Sequence, residues 1–172
     1  MRDAVGSTWI YAIVMIFTLL FAAFLALALT YAKAYRVKNE MTAIIEKYEG
    51  LTADDSLSGM GSLSIMNNYL KNNGYKDKGT CRDGEYGASD LDTPGLTPAS
   101  TSSGNRYYYC VSYEKNDYYK CTHIFKIRVF YDFNLPLLGQ IRKFAISGQT
   151  NEIYQAYFFS SGSTIDLSES CN

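Results

Sequence analysis

Residues 9 to 30 read WIYAIVMIFTLLFAAFLALALT, and this stretch decides the fold because it contains no charged side chain. A helix of this length rises about 33 Å, which is enough to cross the ~30 Å hydrocarbon core of a bilayer. Secretory signal peptides have a shorter apolar run of roughly 7–15 residues and a more basic start. The stretch therefore predicts a retained transmembrane helix, and a helix buried in a protein core is the alternative.

Aromatic and small side chains have distinct positions in this span. Aromatic rings lie at both ends of the span. Tyr and Trp rings have an apolar body and a polar group, so they are favourable in the headgroup region between lipid and water. Two alanines four residues apart have the spacing that lets neighbouring helices approach closely, although alanine facing lipid is an equally open interpretation. The predicted anchor residues are Trp9, Tyr11, Phe17, Phe21, Ala22, Ala26 and Tyr31.

The charge distribution divides the chain into an apolar anchor and a polar body. The 16 basic and 17 acidic residues nearly cancel, and none lies between Asp3 and Lys33. A net charge of −1 is not typical of nucleic-acid-binding proteins, which have a clustered basic excess. The mean hydropathy of the chain is slightly negative, which excludes a transporter or channel with many spans. The predicted divisions are a short tail at 1–8, the transmembrane helix at 9–30, a helical extension at 31–50 and an α+β domain at 51–172.

The helical pattern continues beyond the span. Apolar residues recur every three or four positions up to Gly50, which is a natural helix stop. This spacing predicts one continuous helix whose outer half is amphipathic and packs against the body. The apolar positions are Val37, Met41, Ile44, Ile45 and Tyr48.

The first part of the body has a second helical pattern and then a loop. An apolar stripe predicts a helix from Ser62 to Asn72, with Gly74 as its terminator. Residues 82–106 are rich in Gly, Ser, Thr, Asp and Pro and have no apolar periodicity. We expect an exposed loop there, which is long for a compact domain.

From Arg106 onward the periodicity becomes that of β-strands. The clearest strand runs from Tyr118 to Phe133 and is apolar at its odd positions, which is typical of an antiparallel sheet with one buried face. Three further strands are predicted at 106–114, 140–147 and 152–159, with a turn at Lys115-Asn116-Asp117 between the first two. The predicted fold class is therefore α+β: a long N-terminal helix packed by an antiparallel β-meander of about four strands.

Four cysteines, Cys81, Cys110, Cys121 and Cys171, are disulfide candidates because they lack the close pairing of a structural zinc site. A two-residue turn places Cys110 opposite Cys121, and Cys171 then pairs with Cys81. A three-residue turn instead turns Cys110 away from the face that carries Tyr109, Val111 and Tyr113. Both registers, and free buried thiols, remain open.

No catalytic, cofactor-binding or metal-binding residue can be selected. His123 is the single histidine and lies on the apolar side of the longest predicted strand, so we expect a packed core histidine rather than a base. No phosphate-binding glycine loop is present either. The chain is therefore predicted not to be an enzyme, and no cofactor or small-molecule substrate is evident.

Sixteen tyrosines are an unusual number for this length. Consecutive residues of a strand point to opposite faces, so some of these rings must lie outside the core. Exposed tyrosines are common in contact surfaces, whereas strand propensity alone is the competing explanation. The candidate partner-surface residues are Tyr107, Tyr108 and Tyr118.

The segment IRVFYDFNLPLLGQIRKFAISGQTNEIY, residues 127 to 154, resembles the distal part of TadE-like pseudopilins of tight-adherence pilus systems. An N-terminal membrane helix that continues as a spine and is followed by an antiparallel meander is also the plan of pilins. The resemblance implies a single-pass protein of the bacterial cell membrane whose partners are the lipid bilayer and other pilin-like or assembly-platform membrane proteins.

The side of the membrane on which the body lies is open on the sequence alone. Lys33, Arg36 and Lys38 follow the span, and basic flanks normally stay in the cytoplasm. The cysteines favour an oxidising compartment instead. We expect the body outside the cytoplasm and a structural or assembly subunit of a pilus or secretion apparatus. A membrane-tethered binding or sensing module that acts alone is the alternative.

Overall fold

The computed structural model describes residues 2–53, 61–115, 122–135, 139–154, 156–160 and 162–167. One helix dominates it. Helix α1 spans Arg2–Lys47 without a break, so the span and its extension form one element, as predicted. The expected tail at 1–8 is part of this helix from Arg2 onward. Glu49 then adopts a positive φ of 53° and Gly50 one of 135°, and this reverses the chain after the helix.

The second helix packs against the outer half of α1. Helix α2 spans Ser62–Asn72, as the apolar stripe predicted, and Leu63, Met66 and Leu70 are fully buried. The short strand β1 (Gly50–Leu51) connects to it through Ser62, whose hydroxyl donates to the Gly50 carbonyl at 2.9 Å. The start of the body is thereby fixed directly to the end of α1.

The main sheet contains most of the predicted meander and, in addition, short strands that were not predicted. Its longest strands are β4 (Tyr109–Lys115), β5 (Thr122–Leu135) and β6 (Gly139–Gln149), all antiparallel. Two short strands extend it beyond β4, namely β2 (Tyr86–Ala88) and β3 (Thr97–Pro98), and β7 (Ile153–Tyr154) pairs with β5. The segment 82–106 is therefore not a plain exposed loop: β2 joins the sheet, and Leu91 and Leu96 are buried.

A second sheet closes the body next to the end of α1. The predicted strand at 152–159 is divided between β7 and β8 (Tyr157–Ser160), which belong to different sheets. β8 pairs in parallel with β1 and antiparallel with β9 (Ser163–Asp166). Parallel pairing is possible here because more than 100 residues separate β1 from β8 along the chain.

The main core lies between the two helices and one face of the main sheet. Odd-numbered residues of β5, including Phe125, Ile127 and Val129, are fully buried and face α1, as predicted. Met41 and Ile45 supply the helix side of this core. The even-numbered positions face the other side, where a smaller cluster forms around Cys81, Ala99, Tyr107, Cys110 and Phe130.

The β4–β5 hairpin differs from the prediction in register. Lys115 lies opposite His123, and Cys110 lies opposite Arg128. Each β4 residue therefore pairs six positions further along β5 than the three-residue turn predicts. Because six is an even number, Tyr109 and Val111 stay on the buried face. The expected turn residues Asn116 and Asp117 lie outside the described residues.

Candidate functional site

The largest exposed feature of the molecule is the apolar segment of α1 at residues 9–29. Along residues 9–22 side chains are exposed on every side of the helix. Beyond them Phe24, Leu25 and Leu29 remain exposed, Leu29 to 73 %. Soluble monomers rarely expose contiguous apolar patches larger than a few hundred Å². The alternative of a buried core helix is therefore wrong for this segment. Among the described residues, α1 is the one helix long and apolar enough to cross a membrane.

The predicted anchor residues lie on this apolar segment or at its end. All except Ala26 are exposed, and Phe17 and Phe21 stack with their ring centroids 6.5 Å apart. Ala26 is half-buried because it belongs to the side of α1 that continues into the body. Of the two alanines with helix-packing spacing, Ala22 alone is fully available to a neighbouring helix.

An aromatic collar, defined here as Tyr31, Tyr35, Tyr131 and Phe144, surrounds the point where α1 enters the body. The Tyr31 ring lies 6.4 Å from that of Tyr35 and 6.4 Å, edge-on, from that of Tyr131. Tyr131 in turn stacks on Phe144 at 5.2 Å. Amphipathic rings are favourable where an apolar phase meets water, so the collar suits a membrane surface. Its two sheet residues could not be assigned to it from the sequence, because the strand register decides which end of the sheet lies beside Tyr31.

The disulfide bond joins Cys81 to Cys110, whose Cα atoms are 5.6 Å apart. The predicted pairings of Cys110 with Cys121 and of Cys81 with Cys171 are therefore wrong, although both bonded residues were candidates. In the observed register Cys110 is opposite Arg128, and β2 folds back beside β4 to bring Cys81 within reach. Cys121 and Cys171 lie outside the described residues.

Of the candidate partner-surface residues, Tyr107 is buried and Tyr108 is half-buried. Tyr107 is 2 % exposed because its ring packs on Gly87, where an added Cβ would lie 2.3 Å from a ring carbon. Tyr108 is half-buried and holds the Lys78 ammonium 4.1 Å from the centre of its ring. Tyr118 lies outside the described residues. Tyr107 is therefore a core residue, and the prediction of a partner-binding role for it is wrong.

The outer face of the main sheet forms an open cleft of about 710 Å³. Four of its charged side chains form two ion pairs: Arg128 with Glu85, and the Lys126 ammonium with Glu114 at 2.5 Å. The same carboxylate of Glu85 accepts from the Arg82 backbone N–H at 2.8 Å. Arg128 and Lys126 therefore already have carboxylate partners, although Arg128 Nε has no hydrogen-bond partner among the described residues.

Two further groups in or near this cleft bear on its chemistry. The backbone N–H and hydroxyl of Thr101 donate to Asp83 and lower the pKa of its carboxyl. The side chains of Cys81, Glu85 and Cys110 meet, but both sulfurs form the disulfide and offer no thiolate to a metal. The described residues of this cleft therefore do not form a metal-binding set.

His123 is buried, as predicted, with 2 % of its surface exposed. It lies opposite Lys115 and Ile153, and the Tyr113 ring meets it edge-on at 6.3 Å. Burial and the Lys115 ammonium both lower the pKa of its imidazole. Within the described part of the chain Nδ1 of His123 has no hydrogen-bond partner.

Comparison with protein-family models, with curated proteins and with solved structures found no match to this chain. The features above define an α+β protein with mainly antiparallel strand pairing, one intrachain disulfide among the described residues and a long apolar N-terminal helix.

Proposed function

We propose that this chain is a non-enzymatic, single-pass membrane protein that acts as a structural or assembly subunit of a bacterial surface pilus or secretion apparatus, in the manner of pseudopilins. One observation carries the proposal: α1 is built into the core along its outer half, and along residues 9–22 it is apolar and exposed on all sides. A helix of this kind is stable only in lipid or against other apolar helices.

The disulfide supports a body outside the cytoplasm. Disulfides persist in oxidising compartments and are rare in the reducing cytosol. Cys81 and Cys110 are both almost completely buried, so their bond belongs to the packed interior of the body. The basic residues after the span favour the opposite orientation, and the redox state of the pair in cells decides between the two.

The paired charges of the cleft support an assembly role over a binding module that acts alone. A binding site normally presents a few polar groups that the ligand will satisfy. Here Arg128 and Lys126 already have carboxylate partners. The apolar segment, in contrast, is exposed on all sides from residue 9 to residue 22 in the described part of the chain.

Site-specific photo-crosslinking in cells tests the assembly role. A photoreactive residue replaces Phe21, which is 55 % exposed on the apolar segment. The matched control carries it at Tyr154, which is 62 % exposed on the body. We expect Phe21 to give protein–protein adducts with other small membrane proteins. Lipid adducts alone, together with a monomeric protein in mild detergent, would contradict the proposal.

Rapid alkylation of whole cells tests the orientation. Free thiols are blocked at the moment of lysis, and peptide mapping then shows whether Cys81 and Cys110 were joined. We expect the bond to be present in cells. Two alkylated thiols at these positions would place the body in the cytoplasm.

A further inference from the structure

Helices α1 and α2 border a groove of about 360 Å³, called the interhelical groove below. Its lining residues are Ala32, Lys33, Arg36 and Val37 of α1, Tyr69 of α2, and Asn73, the C-cap of α2. Lys33, Arg36 and Val37 have the spacing of one helix face, and so do Tyr69 and Asn73. Each helix therefore presents one side to the groove.

The groove lies at the end of α2 that is nearer the apolar segment. The first residue of α2, Ser62, bonds to Gly50 just beyond the end of α1, whereas the last turn of α2 lies beside Lys33. The two helices are therefore antiparallel. After α2, Gly74 adopts a φ of 60° and the chain turns. The face of α1 that lines the groove thus continues past the end of α2 into the apolar segment.

Two cations in the groove have no carboxylate partner in the described part of the chain. Lys33 and Arg36 are exposed, and the ion pairs among the described residues involve neither of them. The next basic residue of α1 differs, because the Lys38 ammonium lies over the Tyr35 ring, 4.3 Å from its centre. Lys33 and Arg36 can therefore accept an external anion.

Tyr69 adds a hydroxyl donor beside these charges. Burial raises the pKa of this hydroxyl, the Glu40 carboxylate raises it further, and the Arg36 guanidinium lowers it. A phenol with a raised pKa stays protonated at neutral pH and can donate a hydrogen bond to an anion. Glu40 lies one turn further from the apolar segment than Arg36 does, so the two cations are the charges nearest that segment on this face.

On the side away from the body, the same face of α1 is apolar. Leu25, Leu29, Lys33 and Arg36 are spaced by four, four and three residues, which is the spacing of one helix face. The two leucines are 46 % and 73 % exposed. Tyr31 of the aromatic collar precedes Lys33 by two residues, or about 3 Å of helix. With the collar at the membrane surface, the leucines lie in the hydrocarbon core and the cations at the level of the lipid phosphates.

We infer that the interhelical groove binds the phosphate of an anionic membrane phospholipid through Lys33 and Arg36, while the acyl chains of that lipid lie along Leu29 and Leu25. This inference depends on the membrane anchoring proposed above. The planar guanidinium of Arg36 suits two phosphate oxygens at once, and Lys33 adds a point charge. A zwitterionic lipid fits less well, because its ammonium group would be repelled by both cations. The bound headgroup would also neutralise two of the three basic residues that oppose an outward-facing body.

Native mass spectrometry of the full-length protein in mild detergent tests the inference. The protein is titrated with phosphatidylglycerol or with phosphatidylcholine of identical acyl chains, and the bound fraction gives an apparent Kd. The test variant carries Lys33→Gln and Arg36→Gln. The matched control, Lys47→Gln with Arg82→Gln, removes two exposed cations that do not line the groove. Circular dichroism checks each fold, and Arg36→Gln alone replaces the double variant if the latter does not fold.

We expect phosphatidylglycerol to bind the unmodified protein at least ten-fold more tightly than phosphatidylcholine. A cation near an anionic lipid surface contributes about five-fold in affinity, so the double variant should lose about 25-fold and Arg36→Gln about five-fold. The control should stay within about two-fold of the unmodified protein. Equal binding of the two lipids, an unchanged Kd in the groove variants, or an equal loss in the control would each overturn the inference.

Two further measurements separate the sources of failure. A ten-fold excess of inorganic phosphate over the lipid should leave phosphatidylglycerol bound, because free phosphate lacks the acyl chains; complete displacement would identify a free anion as the ligand and overturn the inference. Alkaline carbonate extraction of cell membranes tests the anchor by itself. Release of the protein into the soluble fraction would contradict the anchoring proposal, whereas retention together with equal binding of both lipids would contradict this inference alone.

Discussion

Opening the Cys81–Cys110 bond should strongly destabilise the body. The two residues are 29 positions apart in sequence. In the chain-entropy model, a loop of that size costs the unfolded state about 12 cal/mol/K, which corresponds to about 3.6 kcal/mol at 25 °C. That value is a large fraction of the 5–15 kcal/mol by which folded domains are typically stable.

A background with Cys121→Ser and Cys171→Ser isolates this bond, because reductant can then act on Cys81 and Cys110 alone. Urea unfolding of the full-length protein in detergent, followed by near-ultraviolet circular dichroism of its tyrosines, gives the free energy of unfolding with and without reductant. The matched control adds Cys81→Ala and Cys110→Ala, and reductant should leave its stability unchanged. A reduction-dependent loss below about 1 kcal/mol would refute the entropic reasoning, since the model requires more than three times that amount.

Three further substitutions have outcomes set by local geometry. Gly50→Ala should destabilise the body by at least about 1–3 kcal/mol in urea unfolding, because φ is 135° and the new Cβ would lie 2.2 Å from the Tyr157 carbonyl oxygen; a neutral result would contradict the close approach of β1 and β8. Tyr109→Phe should cost about 1–3 kcal/mol, because its buried hydroxyl donates to Asn67 Oδ1 at 3.1 Å and that acceptor would lose its partner; an unchanged unfolding midpoint would be evidence against this bond. The pKa of His123 is lowered in the folded state, so the unfolded chain binds its proton first and stability should fall as pH drops from the ordinary value of 6.5 toward the lower native pKa. His123→Gln should remove that part of the pH dependence in denaturant titrations above and below 6.5, and an identical pH profile would rule out a contribution from this residue.

The helices could be predicted from the sequence because their determinants are local. An apolar stripe with the 3.6-residue helical period predicted the bounds of α2. For α1, the absence of charge up to Lys33 and the apolar stripe that follows it predicted one continuous helix. The alternation of Phe125, Ile127 and Val129 likewise identified the buried face of β5. Each of these patterns depends only on residues within one element.

Pairings between distant segments could not be predicted in the same way. Asn116 and Asp117 are strong turn formers, yet the register follows the packing of Tyr109 and Val111 on the helix, and several even displacements satisfy that packing equally well. Strand β2 has only three residues and no readable alternation, so nothing local indicated that it would bring Cys81 beside Cys110. The aromatic collar depends on the same long-range register.

The pairing of β1 with β8 has a consequence for the order of events during biosynthesis. Gly50 leaves the ribosome early, while Tyr157, its partner in the parallel β1–β8 pair, is made more than 100 residues later. Until Tyr157 is made, β1 has no strand to pair with, and the sheet of β1, β8 and β9 cannot form. A body whose second sheet forms only after Tyr157 is made would stay partly unfolded for longer, and that state is the one required by the export of the body proposed above.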